Sequence, residues 1–281
     1  MTLPTFRADD DPGPSFLGVL ARTGAVPVWA DPGTQATPLT HAHGTTVVAI
    51  RYADGVVMAG DRRATSGNLI AHRNMEKVFA ADRHSGVAIA GAAGPAVEMV
   101  KLFQLQLEHY EKVEGAQLSL EGKANQLGQM VRSHLPAAMQ GFVVVPLFAG
   151  FDVRRGTGRL FEYDVTGGRY EESDFAATGS GSLHAGTVIK LGYRPGMDRD
   201  AAVDLAINSL FQAADEDSAT GGPDLVRGIY PVVATITAEG FERLGDDDVA
   251  EHFRALLDEL AAPRGTTTAA TAPSMGGGDG R

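Results

Sequence analysis

The most chemically suggestive stretch of the chain is His43-Gly44-Thr45-Thr46-Val47-Val48, where a proline-rich segment gives way to strand-like residues. A glycine at position 44 gives the backbone freedom to bend, so that the next hydroxyl reaches the preceding carbonyl. Attack of Thr45 on the Gly44 carbonyl, an N-to-O acyl shift and hydrolysis of the ester would release residues 1–44. Thr45 would then carry a free α-amine beside its own hydroxyl. Such an amine, with an ordinary pKa of about 7.7–8.0, takes the hydroxyl proton without help from a histidine. Gly-Thr-Thr by itself is a weak signal, because threonine is common where strands start.

The partners at fixed distances strengthen it. Asp61, in Val57-Met58-Ala59-Gly60-Asp61-Arg62-Arg63, falls sixteen residues after Thr45, and Lys77 falls thirty-two residues after it. Further on stand Gly179-Ser180-Gly181-Ser182 and Asp217-Ser218-Ala219-Thr220-Gly221-Gly222. Taken singly, a strand-end aspartate is usually a cap, a lysine a solvated face and GSGS a turn. Their joint occurrence in this order argues for one site.

The elements that must position these groups are legible in outline. Residues 46–52 and 56–59 are valine-rich runs separated by Ala53-Asp54-Gly55, a hairpin signal, and residues 87–90 form another short apolar run. A helix follows from Pro95 toward His109-Tyr110, and a second spans roughly 120–139, with Pro136 set to kink it or end it early. Strands return at 142–152 and 159–165. Helical stretches at 182–191 and 200–214, a strand at 228–237 and a helix at 248–260 with an acidic first turn complete the order. Strands grouped apart from helix pairs predict an α+β fold with antiparallel sheets, and a four-layer αββα sandwich fits.

Residues 1–44 hold 6 of the 14 prolines and the single tryptophan, Trp29, and are expected to be extended or weakly ordered. Their scattered apolar residues, such as Phe16, Leu17, Val19 and Leu20, remain available for docking on a partner. Residues 264–281 are Gly/Thr/Ala-rich and read as a flexible tail, which leaves 45–263 as one domain.

Composition closes several classes. The 24 basic and 35 acidic residues give a net charge of −11, a poor match for nucleic acid or an anionic membrane. The absence of cysteine removes disulfide scaffolds, thiolate zinc sites and cysteine nucleophiles. No basic region leads into an apolar core at the N-terminus, and no run approaches about 18 apolar residues. A signal peptide and a transmembrane helix are therefore not expected, and the expected location is cytoplasmic. His41 and His43 lack a third ligand and read as a polar approach to the cut site, so no metal is expected. His184 reads as a helix-surface residue. Gly91-Ala92-Ala93-Gly94 lacks the Walker lysine and the full dinucleotide pattern, so no ATP or dinucleotide site and no cofactor is expected.

With these residues in place, the chain resembles the β-subunits of proteasome core particles of the actinobacterial type. The resemblance spans essentially all of 45–263 and is carried by TTVVAI, GVVMAGDRRAT, AGAAGPAVE, LEHYEK, MVRSHLPAAMQG, GSGS and above all DEDSATGGPDLVRGIYP. It implies an N-terminal nucleophile hydrolase fold in which Thr45 attacks the scissile carbonyl, Lys77 steadies the alkoxide and Asp61 holds Lys77. Gly91 matches the glycine whose N–H forms the oxyanion hole. Ser180 and Asp217 match residues that place the α-amine and a catalytic water. Thr220 stands where the family often has serine and keeps the hydroxyl. Thr65 matches a position that hydrogen-bonds the substrate backbone as an added strand. Ala64, Met75, Ile89, Ala93 and Val97 match the specificity pocket, whose apolar character implies cleavage after large hydrophobic residues.

The resemblance further implies assembly with α-subunits and other β-subunits in stacked heptameric rings. A ring ATPase unfoldase and unfolded or tagged protein substrates are implied with it. Two rivals are a related bacterial peptidase without separate α-subunits, and a non-catalytic ring subunit whose N-terminus is never cut. The TGGPD segment and the long leader argue against the first, and the joint presence of Thr45, Asp61 and Lys77 against the second.

Overall fold

A computed structural model describes residue 11, residues 13–24 and residues 44–262. The expected tail at 264–281, and His41 and His43, lie outside the described residues.

The hairpin expected from Ala53-Asp54-Gly55 joins β1 (Thr46–Tyr52) to β2 (Gly55–Gly60). Both strands are buried on both faces, which explains why they read as continuous valine-rich runs without alternation. β1 and β2 form the centre of a five-stranded sheet ordered β10-β1-β2-β11-β12, with β10 at Phe175–Gly179, β11 at Val232–Ile236 and β12 at Phe241–Arg243. A second five-stranded sheet is ordered β5-β6-β7-β8-β9: β5 (Val78–Asp82), β6 (Ser85–Gly91), β7 (Val144–Asp152), β8 (Thr157–Tyr163) and β9 (Arg169–Glu172). Every pairing in both sheets is antiparallel. A short ribbon, β3 (Ala64–Ser66) with β4 (Leu69–His72), stands apart.

Three apolar clusters define the layers. Val47, Ala49, Met58 and Ala234 of the first sheet meet Ala88, Leu147 and Leu160 of the second, forming the core between the sheets. Outside the first sheet lie α5 (Ser182–Gly192), α6 (Arg199–Glu216) and α7 (Asp246–Ala261), which pack Ile189, Leu210 and Phe253 against Val48, Ile50 and Val57. Outside the second lie α2 (Ala93–Glu114) and α3 (Leu120–Ser133), which pack Phe103 and Leu127 against Phe148 and Phe161. The expected αββα sandwich is the observed architecture.

Several boundaries differ from expectation. The helix expected over 120–139 stops at Ser133, and Leu135–Ala138 forms a separate short turn, α4, with Pro136 near its start. The strand expected over 228–237 begins only at Val232, because Gly228 has φ 65° and sits in a turn closed by an Asp224–Ile229 bridge. Within residues 1–44, which were expected to be extended, Phe16–Thr23 forms a helix, α1. Ser15 caps it, Gly24 ends it in the left-handed conformation, and Phe16, Val19 and Leu20 fall at i, i+3 and i+4 on one face. Val19 and Leu20 are buried, and the Phe16 ring lies 5.3 Å from that of His109 on α2. Phe16, Val19 and Leu20 thus dock on their own chain, whereas Leu17 is exposed.

Candidate active site

The β1–β2 hairpin brings the first two candidate groups together. Its register pairs Val47 with Gly60, so the residues just outside, Thr46 and Asp61, lie side by side, and the Thr46 N–H donates to Asp61 Oδ1 at 2.9 Å. Asp61 is fully buried and its carboxylate accepts from Lys77 Nζ at 2.7 Å, Arg63 N at 2.9 Å and Gly221 N at 2.8 Å as well. Lys77, at the entrance to β5, is 1% exposed and also donates to the Arg63 carbonyl at 2.5 Å. Burial pulls the Lys77 ammonium below its ordinary value of 10.5, and the charge and hydrogen bond of Asp61 oppose that pull. A buried ammonium with one countercharge is costly to build and is a recurrent feature of reactive sites.

Thr45 is buried at the mouth of β1, and its hydroxyl donates to the Gly44 carbonyl oxygen at 2.8 Å. The hydroxyl therefore lies against the carbonyl that it would have to attack. The Gly44 N–H donates to Thr65 Oγ1 at 3.2 Å, so Thr65 meets the leader backbone through its side chain. The Thr45 carbonyl accepts from Ser180 N at 2.9 Å, which ties Thr45 to the end of β10.

Ser180, Asp217 and Thr220 form a second group beside the first. Ser180 Oγ donates to Asp217 Oδ2 at 2.5 Å and Thr220 Oγ1 donates to the same oxygen at 2.6 Å. Burial works against the Asp217 charge, but these two hydroxyls, the Ala219 N–H and the field of His184 outweigh it. The carboxyl is left below its ordinary value. His184 itself is half-buried in the first turn of α5.

A small cavity is lined by Gly44, Thr45, Ala64, Met75, Lys77, Ile89, Ala90, Gly91, Ala93 and Ala96; the one charged residue among these is Lys77, which is paired with Asp61. Val97, grouped with these in the sequence, does not line it. One position further round α2, it packs half-buried against the helix-layer core. Gly91 lines the cavity with φ 109°, and a Cβ there would meet the Val143 carbonyl oxygen at 2.1 Å, so only glycine fits.

Two contributors escaped the sequence reading. Thr46 Oγ1 accepts from Gly181 N at 2.9 Å and lies 2.6 Å from Thr220 Oγ1. Because the Thr220 proton goes to Asp217, Thr46 is the donor to Thr220. Arg63 Nη1 donates to the carbonyls of Ser218 and Thr220 at 3.0 and 3.1 Å, clamping the 217–221 turn onto the Asp61 segment. The available signal for Arg63 was its two-residue offset from Asp61. Nothing local marked Thr46.

The comparisons with known proteins agree in one direction. A family model described as "Proteasome subunit" matches residues 41–226. A "Proteasome subunit beta" of Acidimicrobium ferrooxidans is 58% identical over 94% of this chain and 96% of its own length. Proteins of the same description from Streptomyces griseus and Jonesia denitrificans are 57% and 53% identical. Each match spans 85% of this chain, and 87% and 80% of the respective relatives.

Proposed function

The chain belongs to the proteasome-subunit family, and from that premise we propose that it is a catalytic β-subunit whose nucleophile, Thr45, is exposed by self-cleavage after Gly44. As a member of this family it assembles with other subunits in a proteasome core. It is a threonine-type endopeptidase. The observation that carries the self-cleavage reading is the Thr45 hydroxyl held against the Gly44 carbonyl, beside a buried Lys77–Asp61 pair.

In the proposed maturation, Thr45 Oγ adds to the Gly44 carbonyl carbon, the Gly44–Thr45 C–N bond breaks and the hydroxyl proton passes to the departing Thr45 nitrogen. Water then hydrolyses the Gly44 ester, giving a Gly44 carboxylate and a free Thr45 amine and hydroxyl. Residues 1–44 are the removed leader, 45–263 the catalytic domain and 264–281 a tail. In peptide hydrolysis the freed amine takes the Thr45 hydroxyl proton as Oγ attacks the substrate carbonyl. The Lys77 ammonium, held by Asp61, steadies the developing negative charge, and the Gly91 N–H receives the oxyanion. Ser180, Asp217 and Thr220 position the amine and the water that completes the cycle. Thr65 lies along the substrate backbone. The apolar side chains of Ala64, Met75, Ile89 and Ala93 in this cavity receive a large hydrophobic residue on the acyl side of the cut.

The substrates are unfolded or tagged polypeptides, delivered by a ring ATPase into stacked heptameric rings of α- and β-subunits in the cytoplasm. Among the described residues no helix is long and apolar enough to cross a membrane. Intact mass of the β-subunit in assembled particles tests the proposal. The wild type is expected to lose residues 1–44, and with them its single tryptophan, whereas Thr45→Ala keeps both and hydrolyses no peptide. A full-length chain in active wild-type particles would overturn it.

A further inference from the structure

The structure leaves no room for a side chain at position 44. A Cβ built on Gly44 would lie 1.7 Å from Ala219 Cβ, 2.7 Å from its Cα and 2.9 Å from its carbonyl carbon. Real side chains essentially never approach so closely, so one partner would have to move.

Neither partner is free to do so. The Gly44 N–H is held by Thr65 Oγ1 and its carbonyl oxygen by the Thr45 hydroxyl. Ala219 sits at the middle of a turn that is fastened on both sides. Arg63 holds the carbonyls of Ser218 and Thr220, Asp217 Oδ1 accepts the Ala219 N–H at 3.1 Å, and the Thr220 N–H donates to the Asp217 carbonyl at 3.0 Å. The turn is tied further to Asp61 through the Gly221 N–H.

We infer that Ala219 is a positioning residue for self-cleavage: its methyl group is the wall that seats the Gly44 backbone against the Thr45 hydroxyl and excludes any side chain at position 44. This rests on the self-cleavage reading above. The contact exists only while Gly44 is present, so the wall governs maturation and has no part in hydrolysis by the mature subunit. Ala219→Gly removes the 1.7 Å overlap. The remaining backbone approaches of 2.7 and 2.9 Å still call for a shift of roughly half an ångström or more, so the relief is partial.

The test follows leader removal by intact mass in assembled particles carrying wild type, Ala219→Gly, Gly44→Ala, and the Gly44→Ala/Ala219→Gly double variant. Ala219→Gly, which loses the wall, is expected to mature more slowly than wild type and to hydrolyse a fluorogenic peptide like it once mature; equal maturation of the two overturns the seating role. Gly44→Ala is expected to keep its leader, and the double variant to mature at least about tenfold faster than Gly44→Ala. In the opposite sense, Ala219→Val is expected to slow maturation of the chain that retains Gly44. Equal maturation of Gly44→Ala in both backgrounds, or an unhindered Gly44→Ala or Ala219→Val, overturns the inference while leaving self-cleavage standing. A wild-type chain that never loses its leader overturns both.

Discussion

Replacing Asp61 by asparagine probes the Lys77 pair without changing the shape of the side chain. Asp61 accepts four hydrogen bonds, two at each oxygen, from Lys77 and Thr46 on one side and from Arg63 and Gly221 on the other. Asparagine has one acceptor oxygen, so if that oxygen keeps Lys77, the new NH2 faces two backbone N–H groups. Each buried donor left unmatched costs about 1–3 kcal/mol. Stripping one partner from a buried ion pair costs about 3–5 kcal/mol, and the two estimates overlap because they describe one rearrangement. If that energy is lost from the transition state, kcat/KM falls by about 10²- to 10⁴-fold.

The pH profile separates this cause from general loosening. Burial already depresses the Lys77 pKa, and Asp61 is the group that opposes the depression. Without the Asp61 charge the ammonium loses its proton at lower pH, so the alkaline limb of kcat/KM moves toward neutrality. The assay is hydrolysis of a fluorogenic peptide with a hydrophobic residue before the cut, from about pH 6 to 10. It uses assembled subunits whose Thr45 has been freed by removal of an engineered N-terminal fusion, so that a maturation defect does not intervene. An Asp61→Asn enzyme within threefold of wild type, with an unmoved alkaline limb, would refute the assignment of Asp61 and Lys77.

Two further outcomes rest on the cavity and the Asp217 cluster. Met75→Glu places a carboxylate in a lining whose one charged residue, Lys77, is already paired with Asp61, so the ratio of kcat/KM for basic over large hydrophobic residues before the cut should rise by at least about tenfold in a peptide panel. Asp217 has a folded pKa below its ordinary 3.8, so its stabilising contribution is complete above that value and is lost as the pH falls through the lower folded value. Melting temperatures taken down the acid limb should therefore drop less steeply for Asp217→Asn than for wild type, and parallel curves would count against the cluster.

The parts of the site that were legible in the sequence are those set by local geometry. The sixteen-residue interval from Thr45 to Asp61 is one hairpin out and back, and strand-rich residues around a tight turn announce it. The largely buried strands β1, β2 and β7 were recognisable as apolar runs. β10 was not: Phe-Ala-Ala-Thr-Gly has little strand character, and it is a strand because β1 offers it a ladder from Thr46 to Ile50. The helix at Phe16–Thr23 was hidden by its prolines on either side, although its apolar spacing was helical. The role of Arg63 had only its offset from Asp61 to suggest it, and that of Ala219 had no signal. Both depend on the 217–221 turn returning to a segment more than 150 residues away, and such a contact leaves no local pattern.

That returning turn bears on a problem peculiar to a nucleophile at a chain end. In the proposed maturation, cutting the Gly44–Thr45 bond leaves no backbone on the N-terminal side to hold Thr45. Its position must come from the strand on its C-terminal side and from the loops packed beside it. The structure supplies both: the Thr45 carbonyl accepts from Ser180 N, the Thr46 N–H donates to Asp61, and the Thr46 hydroxyl bridges Gly181 N and Thr220 Oγ1. None of these bonds involves residue 44, so none is broken when the leader departs. Gly44, by contrast, is held by Thr65 and walled by Ala219, contacts that end with cleavage. The same few residues therefore carry two separable sets of restraints, one that places the bond to be cut and one that keeps the nucleophile in place afterwards. This separation is why a substitution at Ala219 should alter maturation alone, whereas one at Asp61, which anchors Thr46 and Lys77 together, should alter catalysis in a subunit already matured.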